Sequence, residues 1–179
     1  MPIAAPAHKR NDNHCNVPPQ DYVPFLPTPM RVVHRMLQMA EIQDGETIYD
    51  LGCGDGRMVI AAVKKYGARG VGIDVDRARL DLARRRAGPD VARITFRRQN
   101  VFKVDLRPAD VVTMFLNPGV NFKLIPRFNR LRPGTRIVSH NCEIPGIVSC
   151  KTTRLMCRDG YSHEIFLYRV PLLPIGSCG

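Results

Sequence analysis

The chain has 179 residues, with 27 Lys and Arg against 16 Asp and Glu and a formal net charge of +11. That length accommodates one sizeable core and leaves no room for a separate substrate domain. No stretch reaches the ~18 uninterrupted apolar residues of a membrane span, and Pro2, Pro6 and Asp12 suit neither a signal-peptide core nor an acid-poor presequence, so a cytoplasmic protein is expected.

Residues 1–20 are rich in Pro and polar side chains without periodicity and are read as a tail or lid; the domain spans 21–170, and 171–179 form a C-terminal tail. Val32, Val33, Met36, Leu37 and Ala40 recur at helical spacing, and that helix ends before Asp44-Gly45. Strand and helix patterns then alternate: strand 47–51, helix 56–66, strand 70–74, helix 76–87, strands 92–97 and 110–116, helix 120–130 and strand 135–140. Such alternation predicts a parallel sheet with helices on both faces. After Pro145 the pattern changes. Two strand-like runs, 150–157 and 162–170, flank Arg158-Asp159-Gly160-Tyr161, which predicts an antiparallel hairpin. The cysteines at 15, 53, 142, 150, 157 and 178 make no Cys-x-x-Cys pair and no zinc spacing, so no metal is expected and the thiols are read as reduced.

The most informative segment is Thr47-Ile48-Tyr49-Asp50-Leu51-Gly52-Cys53-Gly54-Asp55-Gly56, an apolar strand run that ends in an acid and three spaced glycines. Glycines at a strand-to-helix turn allow positive φ and let a ligand touch the backbone. Arg57 stands where a dinucleotide loop needs its third glycine, and no Gly-Lys-Ser/Thr follows. Asp50 and Asp55 would repel a pyrophosphate but suit a ligand carrying an ammonium and a sulfonium, as S-adenosyl-L-methionine does. Gly70-Val71-Gly72-Ile73-Asp74 ends the second strand on a carboxylate placed to accept ribose hydroxyls. Cys53 is read as a small, weakly polar residue of the loop rather than a nucleophile.

On these residues the chain resembles the class I S-adenosylmethionine-dependent methyltransferases. Pro24-Phe25-Leu26-Pro27-Thr28-Pro29, leading into a helix from Met30, is similar to the Pro-aromatic-aliphatic-Pro-Thr-Pro segment of the small archaeal protein lysine methyltransferases and their mitochondrial relatives. Val111 to Leu116, Pro118-Gly119-Val120-Asn121, Leu131 to Arg136 and Val138-Ser139-His140 resemble the same group, and the likeness covers roughly residues 21–170. It implies an α/β fold: a doubly wound, mostly parallel, Rossmann-like sheet of seven strands with a C-terminal antiparallel hairpin.

The resemblance also assigns a site. S-adenosyl-L-methionine would be held by Thr28, Asp50, Gly52, Cys53, Gly54, Gly56, Asp74, Val75, Asn100 and Val101, with Asp50 and Asp55 toward the methionine ammonium and Val75 beside the adenine. Asn100 stands where many relatives carry Asp, and a plain turn residue is the other reading. The carbonyls of Leu116 and Asn117 would hold the attacking amine, unless this is only a proline turn. His140 is a candidate proton acceptor or a hydrogen-bonded structural histidine. Phe25, Phe115 and Phe122 are candidates to wall an apolar lysine channel.

The implied activity is methyl transfer to lysine ε-amino groups of a protein substrate. Nucleic-acid and small-molecule methyltransferases and a non-catalytic cofactor-binding module are the alternatives. Arg77, Arg79, Arg84, Arg85, Arg86, Arg93, Arg97 and Arg98 crowd one helix and the strand after it, which fits either a solvated face or an attraction to polyanions. Phe96, between Arg93 and Arg97, is the single aromatic among them, too little for a base-stacking platform, so nucleic acid is not favoured.

Overall fold

Ile48 and Tyr49 are adjacent in sequence and enter different cores, because successive side chains of a strand point to opposite faces. Val111 and Val112, and Val138 and Ile137, divide in the same way. Both faces of the central strands are therefore buried, as helices on both sides require.

The computed structural model describes residues 25–176. Its elements are α1 (Met30–Met39), β1 (Thr47–Leu51), α2 (Arg57–Tyr66), β2 (Arg69–Asp74), α3 (Arg77–Ala87), β3 (Ile94–Arg98), β4 (Val111–Met114), α4 (Pro118–Phe128), β5 (Arg136–His140), β6 (Lys151–Met156) and β7 (Ser162–Arg169). One seven-stranded sheet runs in the order β3-β2-β1-β4-β5-β7-β6. The first five strands are parallel, and β7 pairs antiparallel with both β5 and β6. Val32, Val33, Met36 and Leu37 of α1 pack with Val59 and Val63 of α2 on one face, while Val120, Leu124 and Phe128 of α4 cover the other. On α3 only Leu80, Ala83 and Ala87 are buried, and Arg77, Arg84, Arg85 and Arg86 are exposed.

Several boundaries differ from expectation by one or two residues, and the starts of β3 and α4 do so for a visible local reason. β3 begins at Ile94 because Gly88–Arg93 form a 3-10 turn started by Gly88 at φ 55° and Pro89. β4 ends at Met114 instead of reaching residue 116. α4 begins at Pro118 because Asn117 Oδ1 accepts the Val120 amide at 2.8 Å and proline suits the first helical position. Beyond β7, the Val148 amide donates to Leu173 and that of Ile175 to Gly146, so the start of the C-terminal segment lies along the loop before β6. The expected tail at 1–20 and Pro24 lie outside the described residues. One thiol expectation is corrected: Cys142 is disulfide-bonded, to a partner outside the described residues, whereas Cys53, Cys150 and Cys157 are free. Sequence spacing does not reveal a pairing made by the path of the chain.

Candidate active site

β1 has β2 on one side and β4 on the other, so its C-terminal end is the switch point where open α/β sheets bind ligands. Gly52, Gly54 and Gly56 adopt φ of 75°, 52° and 77°, which turns the chain sharply from β1 into α2. The amides of Gly52 and Cys53 both donate to the Ile73 carbonyl, at 2.9 and 2.8 Å. A Cβ on Gly54 would run into the Phe25 ring, and one on Gly56 would come within 2.9 Å of Ala83. The loop is thus packed against its neighbours as well as bent.

The three acids around this loop have different fates. Asp50 is buried, accepts the Thr113 hydroxyl at 2.8 Å, and is pushed up to about 7 by burial, with the Asp74 and Asp55 charges adding to it. Asp74 is also buried; its two oxygens accept the amides of Gly54 and Asp76. Asp55 corrects the sequence reading. Arg57 Nε donates to it at 2.9 Å and Arg86 joins from α3, so that, although burial opposes ionisation, the arginines hold the carboxyl below its usual range. Asp55 is already balanced, and Asp50 is the acid left for a ligand ammonium. Burial pushes the Cys53 thiol well up, which removes it as a nucleophile.

These residues open onto a cavity of about 270 Å³. Thr28, Asp50, Gly52, Cys53, Asp74, Val75, Asn100, Val101 and Leu116 all line it, drawn from the segment before α1 and from the ends of β1, β2, β3 and β4. Asn100 is engaged locally, its side chain accepting the Phe102 amide at 2.8 Å. Phe25 and Phe115 are on the wall, whereas Phe122 is exposed elsewhere. Asn117 and His140 do not line the cavity. Asn117 is buried with its side-chain oxygen committed to capping α4. His140 is buried behind Phe115, with ring centroids 4.1 Å apart, and meets Thr28 Oγ1 at 3.2 Å.

Arg57, Arg79 and Phe102 are among the lining residues outside the expected site. Arg57 donates to the Thr28 carbonyl at 2.8 Å and ties the proline segment to the glycine loop. Arg79 lies 4.7 Å over the Phe25 ring. Phe102 adds an apolar face beside Val101. The signal for Arg57 was its place two residues after Asp55; nothing local marked Arg79, which stands far from Phe25 in sequence.

The cavity suits S-adenosylmethionine: bare backbone at Gly52, at Asp50 an acid without a cationic partner among the described residues, an oriented carboxylate at Asp74, and apolar contacts from Val75, Val101 and Phe102. Fold and cleft together define a class I S-adenosylmethionine-dependent methyltransferase. The sequence profile of the ANTKMT methyltransferase domain matches residues 50–151. Over 152 residues the chain is 41% identical to a protein-lysine N-methyltransferase of Saccharolobus islandicus, covering 82% of this chain and 93% of that protein. It is 32% identical over 133 residues to an adenine nucleotide translocase lysine N-methyltransferase of Mus musculus, covering 72% of this chain and 57% of that protein. The crystal structure of an RNA methyltransferase from Salinibacter ruber in complex with S-adenosyl-L-homocysteine matches with a TM-score of 0.75 and 38% identity, over 81% of this chain and 94% of that one. The chain belongs to the ANTKMT methyltransferase family.

Proposed function

We propose that this methyltransferase modifies lysine ε-amino groups of proteins. The observation that carries the reading is the 41% identity to the Saccharolobus protein-lysine N-methyltransferase across 93% of its length. Bound S-adenosylmethionine supplies a methyl group activated on a sulfonium, so the residues of the chain have to align an amine and keep it neutral. An unperturbed lysine, with a pKa of ~10.4, is protonated near neutrality. The apolar wall of Phe25, Phe115 and Leu116 favours its uncharged form by desolvation. Incubation with labelled methyl donor and separate protein, RNA and small-molecule pools tests the reading, with mass spectrometry expected to find methyl increments on lysine.

An RNA substrate is the second reading, supported by the likeness to the Salinibacter RNA methyltransferase and by the net charge of +11. Against it, Leu116-Asn117-Pro118-Gly119 holds no aromatic ring to stack an extruded base. Part of the basic face is also occupied by its own acids, with Asp76 paired to Arg79, and Asp81 to Arg77 and Arg84. Label recovered only in RNA overturns the lysine reading. A cytoplasmic site of action belongs to the same proposal, on the composition of residues 1–20, and cell fractionation tests it.

A further inference from the structure

Thr28, His140, His163 and Asp159 form one line of hydrogen bonds. Thr28 Oγ1 lies 3.2 Å from His140 Nδ1, His140 Nε2 lies 2.9 Å from His163 Nδ1, and His163 Nε2 lies 3.0 Å from Asp159 Oδ2. His140 and His163 are 1% and 5% exposed, whereas the Asp159 side chain is 37% exposed. Thr28 lines the cavity. The line therefore runs from the cleft wall through two buried rings to the surface turn of the hairpin.

Its polarity is set at the outer end. Burial opposes ionisation of Asp159, but the Tyr161 amide and His163 hold it below the usual carboxylate range, so it accepts and His163 Nε2 carries the hydrogen. With both rings neutral, His163 Nδ1 accepts from His140 Nε2, and His140 Nδ1 accepts from the Thr28 hydroxyl. One more proton reverses the inner bonds without moving a heavy atom. His163 as imidazolium then donates from both nitrogens, His140 donates from Nδ1, and the Thr28 oxygen accepts.

We propose that this line carries the proton of the substrate amine out of the cleft; the inference rests on the lysine reading above. Methyl transfer forms an N–C bond and breaks an S–C bond, and the attacking ε-ammonium must first lose one proton. That proton passes to Thr28 Oγ1 while the hydroxyl gives its own to His140 Nδ1. The His140 Nε2 proton moves to His163 Nδ1, and the resulting imidazolium, paired with Asp159, releases a proton to solvent. Thr28 touches the amine, while His140, His163 and Asp159 are positioning residues that act through it. Arg57 holds the Thr28 carbonyl, which keeps the hydroxyl in place. Charged and titratable side chains on the elements around the rings include Arg31, His34 and Arg35 of α1, Arg136 of β5, Lys151 and the Arg154–Glu164 pair of the hairpin, Arg169 of β7, and Cys157, which feels the Asp159 and Arg31 charges.

The test compares wild type, His163→Phe and Asp159→Asn on poly-L-lysine with S-adenosylmethionine, measuring kcat from about pH 6.5 to about pH 10 together with calorimetric cofactor affinity. Both variants are expected to bind cofactor as wild type does. At about pH 7, His163→Phe is expected to lose about tenfold or more in kcat and Asp159→Asn about threefold. Both deficits should close at about pH 10, where the amine sheds its proton unaided. A deficit equal at every pH, or none, overturns the proton route and leaves the lysine reading standing. Absence of wild-type turnover at every pH overturns both. If His163→Phe does not fold, Asp159→Asn decides alone, because its amide oxygen keeps the bond from the Tyr161 amide.

Discussion

Asp74 Oδ2 accepts the Gly54 amide at 2.8 Å, which makes the acid at the end of β2 and the glycine loop after β1 a single unit. With Oδ1 taking the Asp76 amide at 2.9 Å, the carboxylate is oriented before any ligand hydroxyl reaches it. Asp74→Ala is expected to weaken S-adenosylmethionine binding by about 1–3 kcal/mol and to lower the melting temperature as well. Asp74→Asn keeps an acceptor and should lose less. Calorimetry showing unchanged affinity in both variants would remove Asp74 from the site.

Asp50 predicts a pH dependence. Its folded pKa of about 7 lies above the ~3.9 of an unfolded chain. The native state therefore binds the extra proton, and this contribution to stability, complete below the unfolded value, is lost as pH rises through about 7. A ligand ammonium reverses the preference by drawing out the carboxylate. Cofactor binding should release a proton at about pH 6 and weaken as pH falls below about 7. Asp50→Asn should abolish that release while raising thermal stability at about pH 8. Calorimetry in buffers of different ionisation enthalpy reads the proton directly, and no release at the lower pH contradicts the assignment.

The Phe25 ring lies against Gly54 and beneath the Arg79 guanidinium, closing the cleft from the proline segment. Phe25→Ala combined with Thr28→Ala is expected to lower turnover about tenfold or more while the fold survives. The loop at 141–149 is a poor substitute cover. Asn121 Nδ2 donates to the carbonyls of Cys142 and Glu143 at 3.1 and 3.0 Å, and the Tyr168 hydroxyl accepts the Ile144 amide at 2.9 Å. Turnover equal to wild type in the double variant, measured with saturating cofactor, would show that the segment does not close the site.

Away from the cleft, Arg136 is buried at the start of β5, pairs with Glu46, and donates to the carbonyls of Ala40 and Glu41 at 2.9 and 3.1 Å. Arg136→Ala leaves Glu46 and two carbonyls without their cation and should cost about 3–5 kcal/mol in urea unfolding. Cofactor affinity of the folded fraction should be unchanged. A loss below about 1 kcal/mol would mean that water replaces the guanidinium.

The sequence alone determined the order of the elements and the glycine loop, since both rest on local physics. Alternating burial along Ile48 and Tyr49 follows from strand geometry, and Gly52, Gly54 and Gly56 mark a turn that only glycine adopts without strain. The start of α4 was equally local, written in Asn117-Pro118, although the capping role was not recognised there. Tertiary structure alone decided how the charges and rings are spent. Arg86 neutralises Asp55 from 31 residues away, and β5 and β7 place His140 and His163, 23 residues apart, in hydrogen-bond contact. Such contacts depend on register and on the path of the chain, and side-chain chemistry at a single position carries no trace of either.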